Sequence, residues 1–261
     1  MIGRAEFLQL RESAKKPGTL KKMADEIVAE AVAHLDYQPE QYAGRYLPVD
    51  LGNQGCERRV SPANQMYDVN SCMVYGAGAN ALTGDVRHGQ TARRALFSTL
   101  RCTTWQCGFA SRIPSGQPGY RAPFIEGSTA ECVATCYDFI YPLLSAAERR
   151  EVEDALYEKA LPWLDMYLRL NGEGYLLSSN QGAVYTAGLM CACLVARRSH
   201  PDVDEIFERG IKWFPRMMHN YYKVNGASNE GPGYWEYTTQ HAVSALLTIC
   251  RHKGWKVQDY A

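Results

Sequence analysis

Residues 225–237, NGASNEGPGYWEY, place the carboxylate of Glu230 and three aromatic side chains around a glycine-broken turn. Pro232 has the fixed backbone angle of a first helical turn, so Tyr234 is predicted to begin an ordered helix. Helical spacing then forms a polar, aromatic face instead of a Leu, Ile and Val face: Tyr234, Tyr237, Thr238 and His241. Such a segment is suited to bind a polar ligand. The alternative is a buried tyrosine-rich packing face whose hydroxyls are satisfied.

Asn180 and Gln181 stand at the start of a charge-free segment, residues 181–196. The start of a helix has free backbone N–H groups and the positive end of the helix dipole, so it favours an anion. Asn180 is therefore a candidate for binding a carboxylate. The alternative is that it only caps the helix.

Length and composition limit the classes of function. The 261 residues suit a single domain over residues 1–261, because no linker or low-complexity stretch divides them. The 28 basic and 28 acidic residues form no block of like charge, which gives no support to nucleic-acid binding or membrane-surface attraction. The nonpolar stretch 182–196 is too short to span a membrane, and residues 1–10 lack the core of a signal peptide. Localisation stays open.

The nine cysteines show no metal-ligand spacing. We therefore expect buried, reduced thiols, no metal site and no cofactor.

Charge-poor and charge-rich helical segments alternate from residue 129 onward. The charge-poor segments are residues 129–144, 181–196 and 232–250, and the charge-rich ones are 146–169, with a kink at Pro162, and 202–223. A helix that is apolar all round must be covered on all sides, whereas a striped helix faces solvent on one side. The chain is therefore predicted to be all-α, with inner helices wrapped by outer ones in antiparallel hairpins, as in an (α/α) toroid. In such a ring, the loops that enter the inner helices open at one mouth: residues 112–128, 171–180 and 225–233.

Three segments resemble successive motifs of the heparinase II/III-like polysaccharide lyases and their alginate-lyase relatives. They are residues 137–149 (YDFIYPLLSAAER), 178–196 (SSNQGAVYTAGLMCACLVA) and 225–238 (NGASNEGPGYWEYT). The resemblance implies an (α/α) toroid whose cleft binds an acidic, uronate-containing polysaccharide and cleaves it by β-elimination. It also implies that the chain is the amino-terminal part of a longer protein with more of the toroid and a β-sandwich domain. An incomplete ring should expose apolar surface, and a homodimer is one expected consequence.

The motifs imply roles for individual residues. Tyr234 matches the catalytic tyrosine of the family, a phenol that donates a proton to the departing oxygen and, when ionised, takes one from C5 of the uronate. Asn180 matches the motif's asparagine and would stabilise the uronate carboxylate. Gln181 stands where the family often has His or Trp, which removes a titratable group but keeps a hydrogen-bond donor.

The remaining candidates would bind or orient the substrate. Arg121 would supply positive charge, since a phenol with a free pKa near ~10 needs help to act as a base. Glu230 would orient a partner or contact sugar hydroxyls. Trp235 and Tyr237 would stack on sugar rings, with a core position as the alternative for Trp235. His241 lies deeper in the same helix and is interpreted first as a structural hydrogen-bonding residue and second as a substrate-binding one.

Three functions stay open on the sequence alone. A lyase acting on an acidic polysaccharide or oligosaccharide fits the motifs best. A glycoside hydrolase on a similar toroid would need two carboxylates across the scissile bond, for which Glu126 and Glu230 are candidates. A noncatalytic carbohydrate-binding fragment is the third, favoured by Gln181 and by the expected truncation.

Overall fold

The computed structural model describes residues 4–37, 62–102, 105, 125–171 and 174–260. Within these ranges the chain is all-helical, as predicted, and its only β-type pairing is an isolated bridge between Tyr222 and Ser228. The α-helices are α1 (Arg4–Ala14), α2 (Thr19–Ala33), α3 (Pro62–Thr83), α4 (Val86–Arg101), α5 (Ile125–Ile140), α6 (Ala146–Ala155), α7 (Leu161–Asn171), α8 (Asn180–Ala196), α9 (Asp204–Tyr221), α10 (Pro232–Lys253) and α11 (Val257–Tyr260). None of the helices described is long and apolar enough to cross a membrane.

The observed helices follow the predicted segments with shifted ends. The predicted segment 129–144 begins earlier, at Ile125, and closes with a 3-10 turn, Tyr141–Leu143. The predicted segment 146–169 is divided by a π-helical turn, Leu156–Ala160, immediately before Leu161 and Pro162. Proline has no N–H and its ring collides with the carbonyl one turn earlier, so a wider turn at this point relieves both problems. The π turn therefore lies where the sequence predicts a kink.

The helices group into two compact units, which are described separately. The first contains the described residues of Met1–Thr103 and Cys132–Arg150, and the second those of Thr104–Glu131 and Glu151–Ala261. All predicted site residues that the structure describes belong to the second unit. A single toroidal domain stays a prediction.

In the first unit, α3 packs against α4, α2 and α1. The guanidinium of Arg11 donates to the carbonyl oxygen of Ala81 from Nε at 2.8 Å and from Nη2 at 2.5 Å. This contact satisfies one of the carbonyls that the end of α3 leaves without an intrahelical partner. Asp85 accepts a 2.9 Å hydrogen bond from the backbone N–H of Arg87 and so caps α4.

In the second unit, α8 is the central helix, with 15 of its 17 residues buried. Three contacting pairs follow the same order along α8 and α10: Asn180 with Glu230, Cys191 with Thr248, and Arg197 with His252. The two helices therefore run parallel and begin at the same end of the unit. Helix α9 runs antiparallel to α8, because Gly210 lies against Met190 while the later Trp213 lies against the earlier Gly182.

Helix α5 crosses α8 at a contact between backbones. A Cβ atom on Gly188 would lie 2.4 Å from the carbonyl oxygen of Gly127, and one on Gly127 would lie 2.7 Å from that of Val184. No side chain fits such gaps, so both glycines are required for this approach.

Helix α10 was predicted to be an inner helix, but it is buried on one side only. Its buried residues lie on one side, whereas Val243 and Leu247 on the other side are 46% and 44% exposed. A charge-poor sequence predicts that a helix is buried, but it does not show which neighbouring element buries each of its faces.

Candidate functional site

The start of α8 is joined to the loop before α10 by a carboxylate. Oε2 of Glu230 accepts a 2.8 Å hydrogen bond from the backbone nitrogen of Asn180, and both carboxylate oxygens lie 3.0 Å from the Asn180 side-chain nitrogen. This is the helix start predicted to attract an anion, and the anion it binds here is Glu230. A carboxylate in this position pairs with free N–H groups and with the positive end of the helix dipole.

Polar side chains surround this contact, and we call them the Glu230 cluster: Ser179, Asn180, Tyr221, Ser228, Glu230 and Thr238. Two buried atoms on adjacent residues form no hydrogen bond with any residue in the described part of the chain: Ser179 Oγ and Asn180 Oδ1. The Tyr221 hydroxyl, by contrast, interacts with the Thr238, Ser228 and Glu230 side chains. Buried polar atoms nearly always have a partner, so two exceptions on neighbouring residues are unusual. The cluster is therefore suited to a polar group from outside the chain.

Tyr221 is the largest side chain of the cluster and is fully buried. Burial raises the pKa of its phenol, the adjacent Thr238 and Ser228 side chains oppose that rise, and the charge of Glu230 adds to it. A raised pKa keeps the phenol protonated at neutral pH, so Tyr221 can donate a proton but is poorly suited to act as a base.

Tyr234 and Gln181 lie at the same end of the α8–α10 pair as the cluster. Tyr234 is in the first turn of α10, next after Gly231, Pro232 and Gly233, and is 52% exposed. Gly231 has φ 91°, a backbone angle that favours glycine, and it turns the chain from Glu230 into the helix. Gln181 is the second residue of α8 and is partly exposed. An exposed phenol thus stands close in sequence to the carboxylate that binds Asn180.

Trp235 faces a different environment. Its indole nitrogen donates a 2.8 Å hydrogen bond to the carbonyl oxygen of Gly226, and its ring lies edge-on to Tyr222 at 6.4 Å. It lines an apolar pocket of about 550 Å³ together with Phe214 and Met218. Trp235 is 42% exposed, so it is not a core residue. Within the described part of the chain, its indole nitrogen donates to Gly226 and not to a residue of the Glu230 cluster.

His241 is held by α5. Its Nδ1 atom lies 2.6 Å from Oε2 of Glu131, and the ring of Tyr237 meets it edge-on at 4.7 Å. The side chain of His241 is 13% exposed. Cys191 lies close to Glu131, and burial first and that charge second raise the pKa of its thiol to about 12. The thiol therefore stays protonated and is not a nucleophile.

No protein-family model and no curated protein matches the chain.

Two further predicted residues have different outcomes. Arg121 lies outside the described residues, so its predicted role as a source of positive charge stays a prediction. Glu126 lies in the first turn of α5 and is 2% exposed. Among the residues described, no group of three or more His, Cys, Asp or Glu side chains could hold a metal ion.

The sequence pattern does not indicate that Ser179, Tyr221 and Thr238 belong to one cluster. Tyr221 ends the apolar stripe of the charge-rich helix α9, where the pattern indicates packing. Ser179 directly precedes the helix, a position where Ser is a common cap, and that signal was available. The arrangement as a whole combines a helix-start anion site, a buried proton donor and an exposed phenol.

Proposed function

We propose that the chain belongs to a lyase that cleaves a uronate-containing polysaccharide by β-elimination, built on an (α/α) toroid. The observation that carries this proposal is the contact between Asn180 and Glu230. It joins the second and third lyase-like motifs at one end of two parallel helices, where the resemblance requires them to meet. Without that contact the motifs would be only similar stretches of sequence.

The reaction needs two proton transfers and one stabilised charge. A base removes the C5 proton next to the uronate carboxylate, a C4–C5 double bond forms, the C4–O4 bond breaks and O4 receives a proton. Hydrogen-bond donors at the carboxylate stabilise the negative charge that develops when C5 loses its proton. Tyr234 carries the proton transfer in this proposal, and the start of α8, with Asn180 and Gln181, binds the carboxylate.

Glu230 gives this site a particular property. Asn180 is 4% exposed and already bound to Glu230, so a uronate carboxylate reaches the same donors only if the Glu230 side chain moves. Two carboxylates at one set of donors repel each other unless one is neutral. Glu230 therefore orients Asn180 in the free enzyme and competes with the acidic substrate.

The lyase is favoured over a glycoside hydrolase by the position of the second carboxylate. A hydrolase needs both carboxylates in contact with the sugar, and Glu126 is buried. A noncatalytic carbohydrate-binding protein is favoured by the amide of Gln181 in place of a titratable side chain.

The test is to incubate the chain with several polyuronates and neutral glycans and to follow two products. Elimination creates reducing ends together with an ultraviolet-absorbing C4–C5 double bond, whereas hydrolysis creates reducing ends alone. We expect both signals with at least one polyuronate and neither with a neutral glycan. Reducing ends without the double bond would contradict the lyase, and retention on an immobilised polyuronate without either product would favour the binding protein.

A further inference from the structure

A second pocket of the same unit, distinct from the Glu230 cluster, lies between α7 and α9. Its volume is about 290 Å³, and Leu168, Leu189 and Trp213 give it a buried, apolar floor. Among the described residues, the lining also includes four cationic side chains and one carboxylate: Arg169, Arg209, Lys212, Arg216 and Asp165. The chain as a whole has no net charge, so this concentration of positive charge is local.

Asp165 fixes two of the cations in place. Its side chain is 10% exposed and accepts hydrogen bonds from Nε and Nη2 of Arg209 at 2.9 to 3.1 Å, while Nε of Arg169 lies 3.1 Å from it. A buried carboxylate that binds two guanidinium groups holds them in one orientation before a ligand arrives. A single carboxylate carries too little charge to neutralise both guanidinium groups.

The remaining two cations are Lys212 and Arg216, on the exposed side of α9. Their spacing places them on the same face of the helix as Arg209, and all three side chains are exposed. Exposed helix faces commonly carry charged side chains, which is the simplest explanation for their presence. That explanation does not account for Arg169 on α7 or for a concave, apolar floor beneath the charges.

We propose that this pocket binds a small organic anion, with a carboxylate, sulfate or phosphate at the cationic rim and a ring-shaped body on the floor formed by Leu168 and Trp213. A cleft lined by charge of one sign concentrates ions of the opposite sign, and guanidinium groups match the geometry of oxyanions. The volume is near the lower end for ligand pockets and fits one ring, such as a single acidic sugar unit. The inference does not depend on the lyase activity, because none of these residues belongs to the Glu230 cluster.

The test uses glucuronate, glucose 6-phosphate, inorganic phosphate and neutral glucose as probes, with binding measured by calorimetry at low salt. We expect both sugar anions to bind more tightly than inorganic phosphate, and glucose not to bind. The double variant Lys212→Ala/Arg216→Ala should weaken the binding of both sugar anions by ~10-fold or more, since two of the four rim charges are lost.

The matched control is Lys16→Ala/Lys22→Ala, which removes the same charge from exposed positions of the first unit. It should leave binding unchanged. Equal weakening in the two double variants would show general charge attraction and would overturn the proposal, as would the absence of binding by any anion. Equal affinities for inorganic phosphate and the sugar anions would contradict the role of the apolar floor. Anion binding without any polyuronate cleavage would contradict the lyase proposal and would support the anion pocket.

Discussion

The carboxylate of Glu230 accepts hydrogen bonds from both nitrogens of Asn180, at 2.8 Å from the backbone and 3.0 Å from the side chain. The chain therefore supplies its own anion at the start of α8. A helix start of this kind binds a substrate carboxylate only in competition with the internal one. This competition leads to the first prediction.

Glu230→Gln should lower KM for a polyuronate several-fold, because a neutral amide competes less strongly for the donors of Asn180. The same change should lower the free energy of unfolding by about 1 kcal/mol, since a charged acceptor at a helix start is lost. Steady-state kinetics and urea unfolding measure the two effects. Glu236→Gln is the matched control, as Glu236 is an exposed acid in the second turn of α10. A higher KM in Glu230→Gln would instead show that the carboxylate contacts the sugar directly.

Tyr234→Phe removes one phenol oxygen and keeps the ring. If that oxygen transfers the proton, kcat should fall by ~10²-fold or more with little change in KM. The side chain is 52% exposed, so the urea midpoint should stay within error of the unsubstituted chain. Tyr237→Phe is the control, because that ring packs on His241 and should keep most of the activity. Unchanged kcat in Tyr234→Phe would remove Tyr234 from the mechanism.

The pH dependence of stability should depend on His252. Burial lowers its pKa, and the charges of Arg197 and Lys253 lower it further, although Asp204 and Glu208 oppose this. The unfolded chain, with a histidine pKa of ~6.5, therefore binds the proton more readily than the folded one. The neutral His252 therefore contributes its full share to the free energy of unfolding above pH ~6.5. This stabilisation is lost as the pH falls from ~6.5 toward the lower pKa of the folded state.

Urea midpoints measured above and below that pH test this prediction. The midpoint should fall on acidification, and His252→Gln should reduce the fall. His219→Gln changes an exposed histidine at the end of α9 and should leave the fall intact. An identical fall in all three proteins would assign the acid sensitivity to other groups.

Much of the fold could be predicted from the pattern of charge. Helix α8 has no charged residue over its whole length, so its near-complete burial follows from the cost of leaving such a helix in water. The contact between Asn180 and Glu230 was less predictable. Helix-start chemistry indicated an anion, but only the three-dimensional arrangement shows that the anion comes from the chain itself.

The rest of the site depends on where helices end relative to one another. The sequence pattern of α9 predicts that Tyr221 is a packing residue. It belongs to the Glu230 cluster because α9 ends beside the loop before α10. The exposed face of α10 was also not predictable, since a charge-poor sequence does not show which side of a helix has a neighbour.

The exposed face of α10 should bind a hydrophobic dye. Two of its residues, Val243 and Leu247, and two residues that follow the helix, Trp255 and Val257, are each between 42% and 47% exposed. Val243 and Val257 also line the apolar pocket beside Trp235. Adjacent exposed apolar side chains of this kind are typical of surfaces that associate. Leu247→Glu should reduce both dye fluorescence and any concentration-dependent dimer seen by sedimentation, while changing the free energy of unfolding by less than ~0.5 kcal/mol. Leu8→Glu places the same charge on an exposed leucine of α1 and should change neither signal. Dye binding that persists in Leu247→Glu but disappears in Leu8→Glu would place the associating surface on the first unit instead.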